Sequence, residues 1–138
     1  YLKYRTYHGC AMPIQHQKAS AAVWDDEKHV MLNRESYGNK FSSVTPILKQ
    51  VTTIKDPDGG FYHWLETPFD DQKFTKELFI NCNITVLPGS YLGRETVGNH
   101  AEKRKRNPGR NHIRVAWVDG TEKCVDAATR MVNWWRSL

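Results

Sequence analysis

The segment RNHIRVAWVDG, residues 110–120, alternates apolar and polar side chains with the two-residue period of a β-strand. Ile113, Val115 and Trp117 fall on one side of this strand, whereas Arg114 falls on the other side, near its centre. An apolar strand with a charge at its centre constrains the fold, because its two faces need different surroundings. The face with the arginine is expected to meet either water or an anion.

Two helices are predicted before the first strand. Residues 13–24 begin with Pro13, which is favoured in the first turn of a helix, and continue with helix-forming residues. A longer helix is predicted over residues 26–51, with two aspartates at its start that favour an N-terminus. Pro46 lies inside this segment and is expected to kink or break the helix. The apolar residues of the longer helix recur at helical intervals and are Val30, Tyr37, Phe41, Val44, Leu48 and Val51.

The rest of the chain reads as strand, helix, strand, strand and helix. The turn signal DPDGG, residues 56–60, leads into a strand with Phe61, His63 and Leu65 on one face. A helix is predicted from Asp70 to Ile80, and the segment NITVLPGSYLG is predicted to be a strand that ends in a turn. The inward residues of that helix are expected to be Phe74, Leu78 and Phe79. The last helix is predicted to start near Thr121, with an apolar stripe of Cys124, Val125, Ala128, Val132 and Trp135.

This order predicts an α+β fold, in which a small antiparallel or mixed sheet is covered on one face by helices and preceded by a long connecting helix. If Ile113, Val115 and Trp117 face the helices, Arg114 lies on the uncovered face of the sheet. The chain has 138 residues, of which 39% are hydrophobic and 25% charged, as expected for a globular domain with a core.

Several classes of site have no support in the sequence. No apolar run approaches the ~20 residues that a membrane span needs. The three cysteines, Cys10, Cys82 and Cys124, lack CxxC spacing, and the six histidines lack zinc-site spacing. Neither a disulfide framework nor a metal site is therefore expected, and the cytoplasm is the simplest location. We also find no set of catalytic residues and no glycine-rich phosphate-binding motif.

A basic run, EKRKRNPGR at residues 102–110, carries much of the net charge of +5. Such a run between a glycine and a Pro-Gly pair is most simply a solvated loop. The alternative is a stand-alone basic nucleic-acid-binding module, but aromatic residues that could stack on bases are not interleaved with the run. Nucleic acid is therefore not the expected partner. The residues that would contact phosphates in that alternative are Arg104, Lys105, Arg106 and Arg110.

Five segments in order resemble the C-terminal part of class I (fold type I) pyridoxal-phosphate aminotransferases. The resemblance covers essentially the whole chain, and within the class it is greatest to the N-succinyldiaminopimelate aminotransferases of lysine and cell-wall precursor biosynthesis. The segments are YLKYRTYHGCAMPIQHQKASAAVWDDEKHV, GGFYHWL, NITVLPGSYLGRE, NPGRNHIRVAWV and EKCVDAATRMV.

The resemblance implies a domain organisation and two binding residues. Residues 1–24 would be the tail of the large domain that binds pyridoxal phosphate, and residues 25–138 would be the small C-terminal domain with its connecting helix. Arg114 matches the arginine that binds the α-carboxylate of the substrate. Arg5 matches an arginine that, in some relatives, reaches into the neighbouring subunit of a homodimer to meet the distal anionic group of the substrate.

The resemblance also implies what this chain lacks. The Schiff-base lysine and the other groups that hold pyridoxal phosphate lie upstream of the position that is Tyr1 here. No lysine of the chain stands in the Schiff-base motif, so the chain is expected to be an inactive fragment of a longer enzyme. That enzyme would transfer an amino group between glutamate and a 2-oxo acid. Another class I or class II transaminase, with a different substrate, stays open.

Overall fold

The computed structural model describes most of the chain, in two compact units that comprise residues 1–34 and residues 35–138. Each unit is described by itself. Cys10 and part of the basic run, including Arg104, lie outside the described residues. The described residues are 1–6, 8–9, 11–97 and 105–138.

The predicted helices and strands occur in the predicted order, and the structure adds a short helix at the start and a short pair of strands before the last one. A short 3-10 turn, Gly89–Tyr91, follows the second strand. The helices are α1 (Leu2–Arg5), α2 (Ile14–Asp25), α3 (Glu27–Leu48), α4 (Asp71–Cys82) and α5 (Thr121–Trp135). The strands are β1 (Tyr62–Glu66), β2 (Leu87–Pro88), β3 (Thr96–Val97), β4 (Lys105–Arg106) and β5 (His112–Ala116).

Helix α3 begins directly after Asp25 and Asp26, the two aspartates that predicted its N-terminus. The carboxylate of Asp26 accepts a hydrogen bond of 3.0 Å from the backbone N–H of Lys28, which satisfies one of the free N–H groups of the first turn. The boundary between the two units falls inside this helix, after Arg34. Its 22 residues span roughly 33 Å.

The end of α3 differs from the prediction. The helix continues through Pro46 and ends at Leu48, so the proline neither breaks the helix nor stops it at once. The predicted end at residue 51 was wrong, because the chain tightens into a turn in which Val51 N–H donates to the carbonyl of Leu48 at 3.1 Å.

The sheet of residues 35–138 is antiparallel and has the strand order β1-β5-β2. β5 is therefore the central strand, with Trp64 of β1 and Leu87 of β2 on either side of Arg114 in the register. Strands β3 and β4 form a separate antiparallel pair. Of the segment NITVLPGSYLG, only Leu87–Pro88 is a strand.

One face of the sheet packs on α3, α4 and α5, as predicted. Phe79 is an exception, since its side chain is 53% exposed. The inward stripe of α4 recurs every four residues, at Phe74, Leu78 and Cys82, and Phe79 lies about 100° away from it. The buried core includes Phe41, Val44, Leu48, Leu65, Phe74, Leu78, Ile113, Val115, Trp117, Ala128, Met131 and Val132.

The core also contains a hydrogen-bonded histidine. His63 Nδ1 accepts from the indole Nε1–H of Trp117 at 2.7 Å. Because an indole nitrogen can only donate, the ring proton of His63 sits on Nε2, which contacts Thr45 Oγ1 at 3.2 Å. Burial lowers the pKa of His63 to about 4, so the ring is neutral at pH 7.

We expect His63 to make folding sensitive to mild acid. The unfolded chain takes up a proton near the ordinary pKa of histidine, whereas the folded chain takes it up only near pH 4. Stability should therefore fall as the pH is lowered from about 6.5 to 4, by up to about 3 kcal/mol from this residue. Urea unfolding of the wild type and of His63→Gln across this range measures how steeply the free energy of unfolding of each protein depends on pH. Equal slopes would show that His63 is not the cause.

Candidate functional site

Arg114 lies on the sheet face that points away from the core. Its neighbours in β5, Ile113 and Val115, are buried on the opposite face, which confirms the alternation read from the sequence. The same outward face carries Tyr62 and Trp64 from β1 and His112 from β5. We call the surface formed by Tyr62, Trp64, His112 and Arg114 the open face.

The guanidinium of Arg114 is held against an aromatic ring but lacks one hydrogen bond. Its central carbon lies 5.5 Å from the centre of the Tyr62 ring, within the range of a cation–π contact. Its Nε is buried and has no hydrogen-bond partner among the described residues. A buried N–H without a partner costs stability, whereas a planar carboxylate could satisfy it and a neighbouring N–H together. The open face therefore has the chemistry of an anion site.

A second pair of side chains on the open face is stacked. The rings of Trp64 and His112 have centroids 5.6 Å apart and planes inclined by only 15°. The Nδ1 of His112 lies 2.8 Å from the carbonyl oxygen of Arg110, which can only accept a hydrogen bond. Nδ1 therefore carries the ring proton, and this bond fixes the orientation of the imidazole beneath the indole.

The carboxylate of Asp71 fixes the loops at one end of the open face. Asp71 is fully buried in the first turn of α4. One of its oxygens accepts from the backbone N–H of Ser90 at 2.9 Å, and the other accepts from that of Asn111 at 3.2 Å. Burial alone would raise the pKa of Asp71, but these hydrogen bonds outweigh it and the pKa is lowered. Asp71 is thus an ionised anchor for both loops.

The two loops are also locked to each other. Asn107 donates from its side-chain amide to the carbonyl of Ser90 at 2.8 Å, and its amide oxygen accepts from the N–H of Gly109 at 2.9 Å. Gly89 and Gly109 lie so close that a Cβ on either residue would clash with the backbone of the other. The segments PGSY and NPGRN therefore form one rigid edge next to β5.

Comparison with known proteins relates this fold and sequence to aminotransferases. No protein-family model matches the chain. A crystal structure of an aminotransferase from Neisseria meningitidis is 46% identical over 98% of this chain, with a TM-score of 0.80. The probable aminotransferase Rv1178 of Mycobacterium tuberculosis is 26% identical over 94% of this chain. A probable N-succinyldiaminopimelate aminotransferase from Thermus thermophilus is 22% identical over 82% of the chain, with a TM-score of 0.65.

The chain has the fold of an aminotransferase C-terminal domain. Its similarity is to the C-terminal part of class I aminotransferases, and the predicted α+β fold is confirmed. The chain spans 33% of the Neisseria protein, 28% of the Mycobacterium protein and 27% of the Thermus protein. At 22% identity, the likeness to the Thermus protein concerns the fold alone.

The second predicted arginine of this aminotransferase-like chain, Arg5, lies in the other unit. It is exposed at the end of α1, and its Nη1 donates to the carbonyl of His8 at 3.5 Å. Because Arg5 belongs to residues 1–34 and Arg114 to residues 35–138, each is described separately. A shared role for the two arginines stays a prediction.

The buried lysine among the described residues does not fit the role of a lysine that binds pyridoxal phosphate. Lys40 is the one buried lysine among the described residues. Its Nζ donates to the carbonyl of Trp117 at 3.0 Å and lies 4.5 Å from the centre of the Tyr37 ring. A lysine that binds the cofactor needs a free amino group that faces it. Lys40 is therefore not a candidate for a cofactor-binding lysine.

Other kinds of site receive no support from the described part of the chain. No group of three or more histidine, cysteine or acidic residues there could hold a metal ion. None of the helices there is long and apolar enough to cross a membrane. An open cleft of about 930 Å³ is lined in part by Thr67, Asn111 and Trp135, but Arg114 does not line it. None of the four residues of the open face lines this cleft.

Sequence reasoning singled out Arg114 as a candidate but missed the residues around it that hold the loops and rings in place. Asp71 contacts Ser90 and Asn111, which are 19 and 40 positions away, so no local pattern reveals the contact. The stacking of Trp64 on His112 likewise depends on which strands pair and in which register. The Pro-Gly pair in each loop was the only local sign of an unusual backbone there.

We expect Asp71 to matter more for stability than the adjacent Asp70. Asp70 caps α4 by accepting from Lys73 N–H at 3.0 Å, and its replacement by alanine should cost about 1 kcal/mol. Asp71→Ala removes the acceptor of two N–H groups at a fully buried position and should cost about 2 to 5 kcal/mol. Urea unfolding of both variants gives the comparison. Similar losses would mean that Asp71 acts only through the helix terminus.

Proposed function

We propose that this chain is the C-terminal domain of a pyridoxal-phosphate-dependent aminotransferase, in which Arg114 binds the α-carboxylate of the substrate. The observation that carries the proposal is the position of Arg114 on the open face, with a buried Nε that lacks a partner among the described residues. The similarity to the Neisseria aminotransferase supports the reaction class.

The substrate we propose is that of succinyldiaminopimelate transamination, with glutamate as the amino donor. This narrower proposal is supported by the sequence segments that resemble the N-succinyldiaminopimelate aminotransferases. It would place the enzyme in lysine and diaminopimelate biosynthesis. A transaminase for another 2-amino acid is the alternative.

The role of this domain is to bind and orient the substrate. When bound, pyridoxal phosphate supplies the electron sink for exchange of the amino group, and residues outside this chain would hold it. Arg114 would grip the α-carboxylate with two N–H groups, so that the reacting Cα is held in one orientation. The ring of Tyr62, at 5.5 Å, limits the movement of the guanidinium.

We further propose the arrangement of the intact enzyme. Residues 1–24 would be the tail of the large cofactor-binding domain, and residues 25–138 would be the small domain. Arg5 would meet the distal anionic group of a substrate in the neighbouring subunit of a homodimer. This proposal rests on the sequence resemblance. A cytoplasmic location is also proposed, from the spacing of the three cysteines.

Replacement of Arg114 tests the proposed carboxylate contact. In the intact enzyme, Arg114→Ala should raise KM for glutamate and lower kcat/KM by about 10- to 100-fold, the scale of losing hydrogen bonds to a charged group. Arg114→Lys keeps the charge but loses the planar pair of donors, and should recover only part of the activity.

Arg110 offers a matched control. It lies four residues earlier and is exposed, and it is not one of the residues of the open face. Arg110→Ala therefore removes the same charge but leaves the open face unchanged. Its kcat/KM for glutamate should stay close to that of the wild type. If both alanine variants lose activity equally, net charge explains the loss and Arg114 has no specific role.

We also expect this 138-residue chain alone to lack transaminase activity. Its one buried lysine among the described residues is engaged by a backbone carbonyl, so it should not bind pyridoxal phosphate covalently. Borohydride reduction of the mixture followed by mass spectrometry of the digest measures attachment, with the intact enzyme as the positive control. A specific adduct on Lys40, or turnover of glutamate by the chain alone, would contradict this expectation.

A further inference from the structure

The indole of Trp64 stands next to Arg114 on the open face. The two residues are direct cross-strand partners in the antiparallel register, and their side chains point to the same face of the sheet. Partners of this kind have Cβ atoms about 5 Å apart. Leu87 of β2 is the register partner of Arg114 on the other side. The arginine therefore rises between two apolar side chains.

Trp64 is fixed in place although its side chain is accessible. It remains 41% exposed, so much of its ring surface can still meet a ligand. One side of the ring stacks on His112, whose own orientation is set by the 2.8 Å hydrogen bond to the carbonyl of Arg110. The far edge of the ring lies over Gly89, where a Cβ would come within 2.8 Å of Cη2.

An exposed aromatic ring held on two sides differs from an ordinary surface tryptophan. Most exposed side chains lose rotamer freedom when a ligand binds, and that loss weakens binding. The contacts with His112 and Gly89 have already removed much of this freedom from Trp64. A carbon chain that lies against the indole would therefore be stabilised by burial of its apolar surface, with little further loss of rotamer freedom by Trp64.

We propose that Trp64 is a specificity-determining residue of the carboxylate site, with His112 as the residue that positions it. This inference rests on the proposed function of Arg114. Arg114 binds the α-carboxylate, and the indole forms an apolar wall along which the carbon chain of the substrate extends. The site then takes 2-amino and 2-oxo acids with an extended unbranched chain in preference to short ones such as alanine.

The test compares substrates of different chain length in the intact enzyme. We would measure kcat/KM for alanine and for unbranched 2-amino acids of increasing length, with the same 2-oxo acid as acceptor. In the wild type, kcat/KM should rise with chain length. In Trp64→Ala the ratio of the longest substrate to alanine should fall by about tenfold, the scale on which apolar pockets discriminate between chains. The value for alanine itself should change little.

His112→Asn tests the positioning role, because it removes the imidazole that stacks on Trp64 but keeps the indole itself in the protein. It should lower the ratio of kcat/KM for the longest substrate to kcat/KM for alanine, but by less than Trp64→Ala does. Phe79→Ala is a matched control, since Phe79 is a similarly exposed aromatic residue on α4 rather than on the open face. Its ratio should equal that of the wild type.

Two results would overturn the inference, and they can be distinguished. If Trp64→Ala keeps the wild-type ratio while Arg114→Ala impairs all substrates, the wall is refuted and the carboxylate site stands. If Arg114→Ala impairs none of them, the proposed function fails and the inference fails with it. Should Trp64→Ala not fold, the wild-type series still decides, because a preference for alanine over longer chains would refute the wall.

Discussion

The carboxylate of Asp71 joins three segments that are far apart in the sequence. It belongs to the first turn of α4, and its two oxygens hold the loop after β2 through Ser90 and the loop before β5 through Asn111. Because Asp71 is fully buried, separation of either loop would leave one oxygen of its carboxylate without a hydrogen-bond partner. The place at which β5 enters the sheet depends on this contact, and so does the position of Arg114.

The parts of this structure that follow from neighbouring residues could be predicted from the sequence. The alternation in β5 placed Ile113 and Val115 in the core and Arg114 outside it, and the structure agrees. The stripe of α4 was predicted except for Phe79, because an apolar residue next to a stripe gives no sign of which side it takes. The Asp71 anchor and the Trp64–His112 stack could not be predicted, since they depend on strand register and on loops that meet only in the folded chain.

The two histidines of the sheet make different hydrogen bonds on its two faces. On the core side, His63 accepts from the indole of Trp117 and carries its proton on Nε2, and burial lowers its pKa to about 4. On the open face, His112 instead donates from Nδ1 to a backbone carbonyl. The core side of the sheet thus holds a histidine that burial keeps neutral at pH 7, while the open face carries the guanidinium of Arg114.

The unpaired Nε of Arg114 connects the fold to the proposed function. The loops and strands around it supply hydrogen bonds to each other, and Tyr62 contributes only the face of its ring to the guanidinium. A lysine there could not present two parallel donors, and an aliphatic residue would leave the open face without charge. The protein keeps a partly buried cation between apolar neighbours, where an ionic hydrogen bond is stronger than in water. A carboxylate bound at that position would supply the partner that the described residues do not provide.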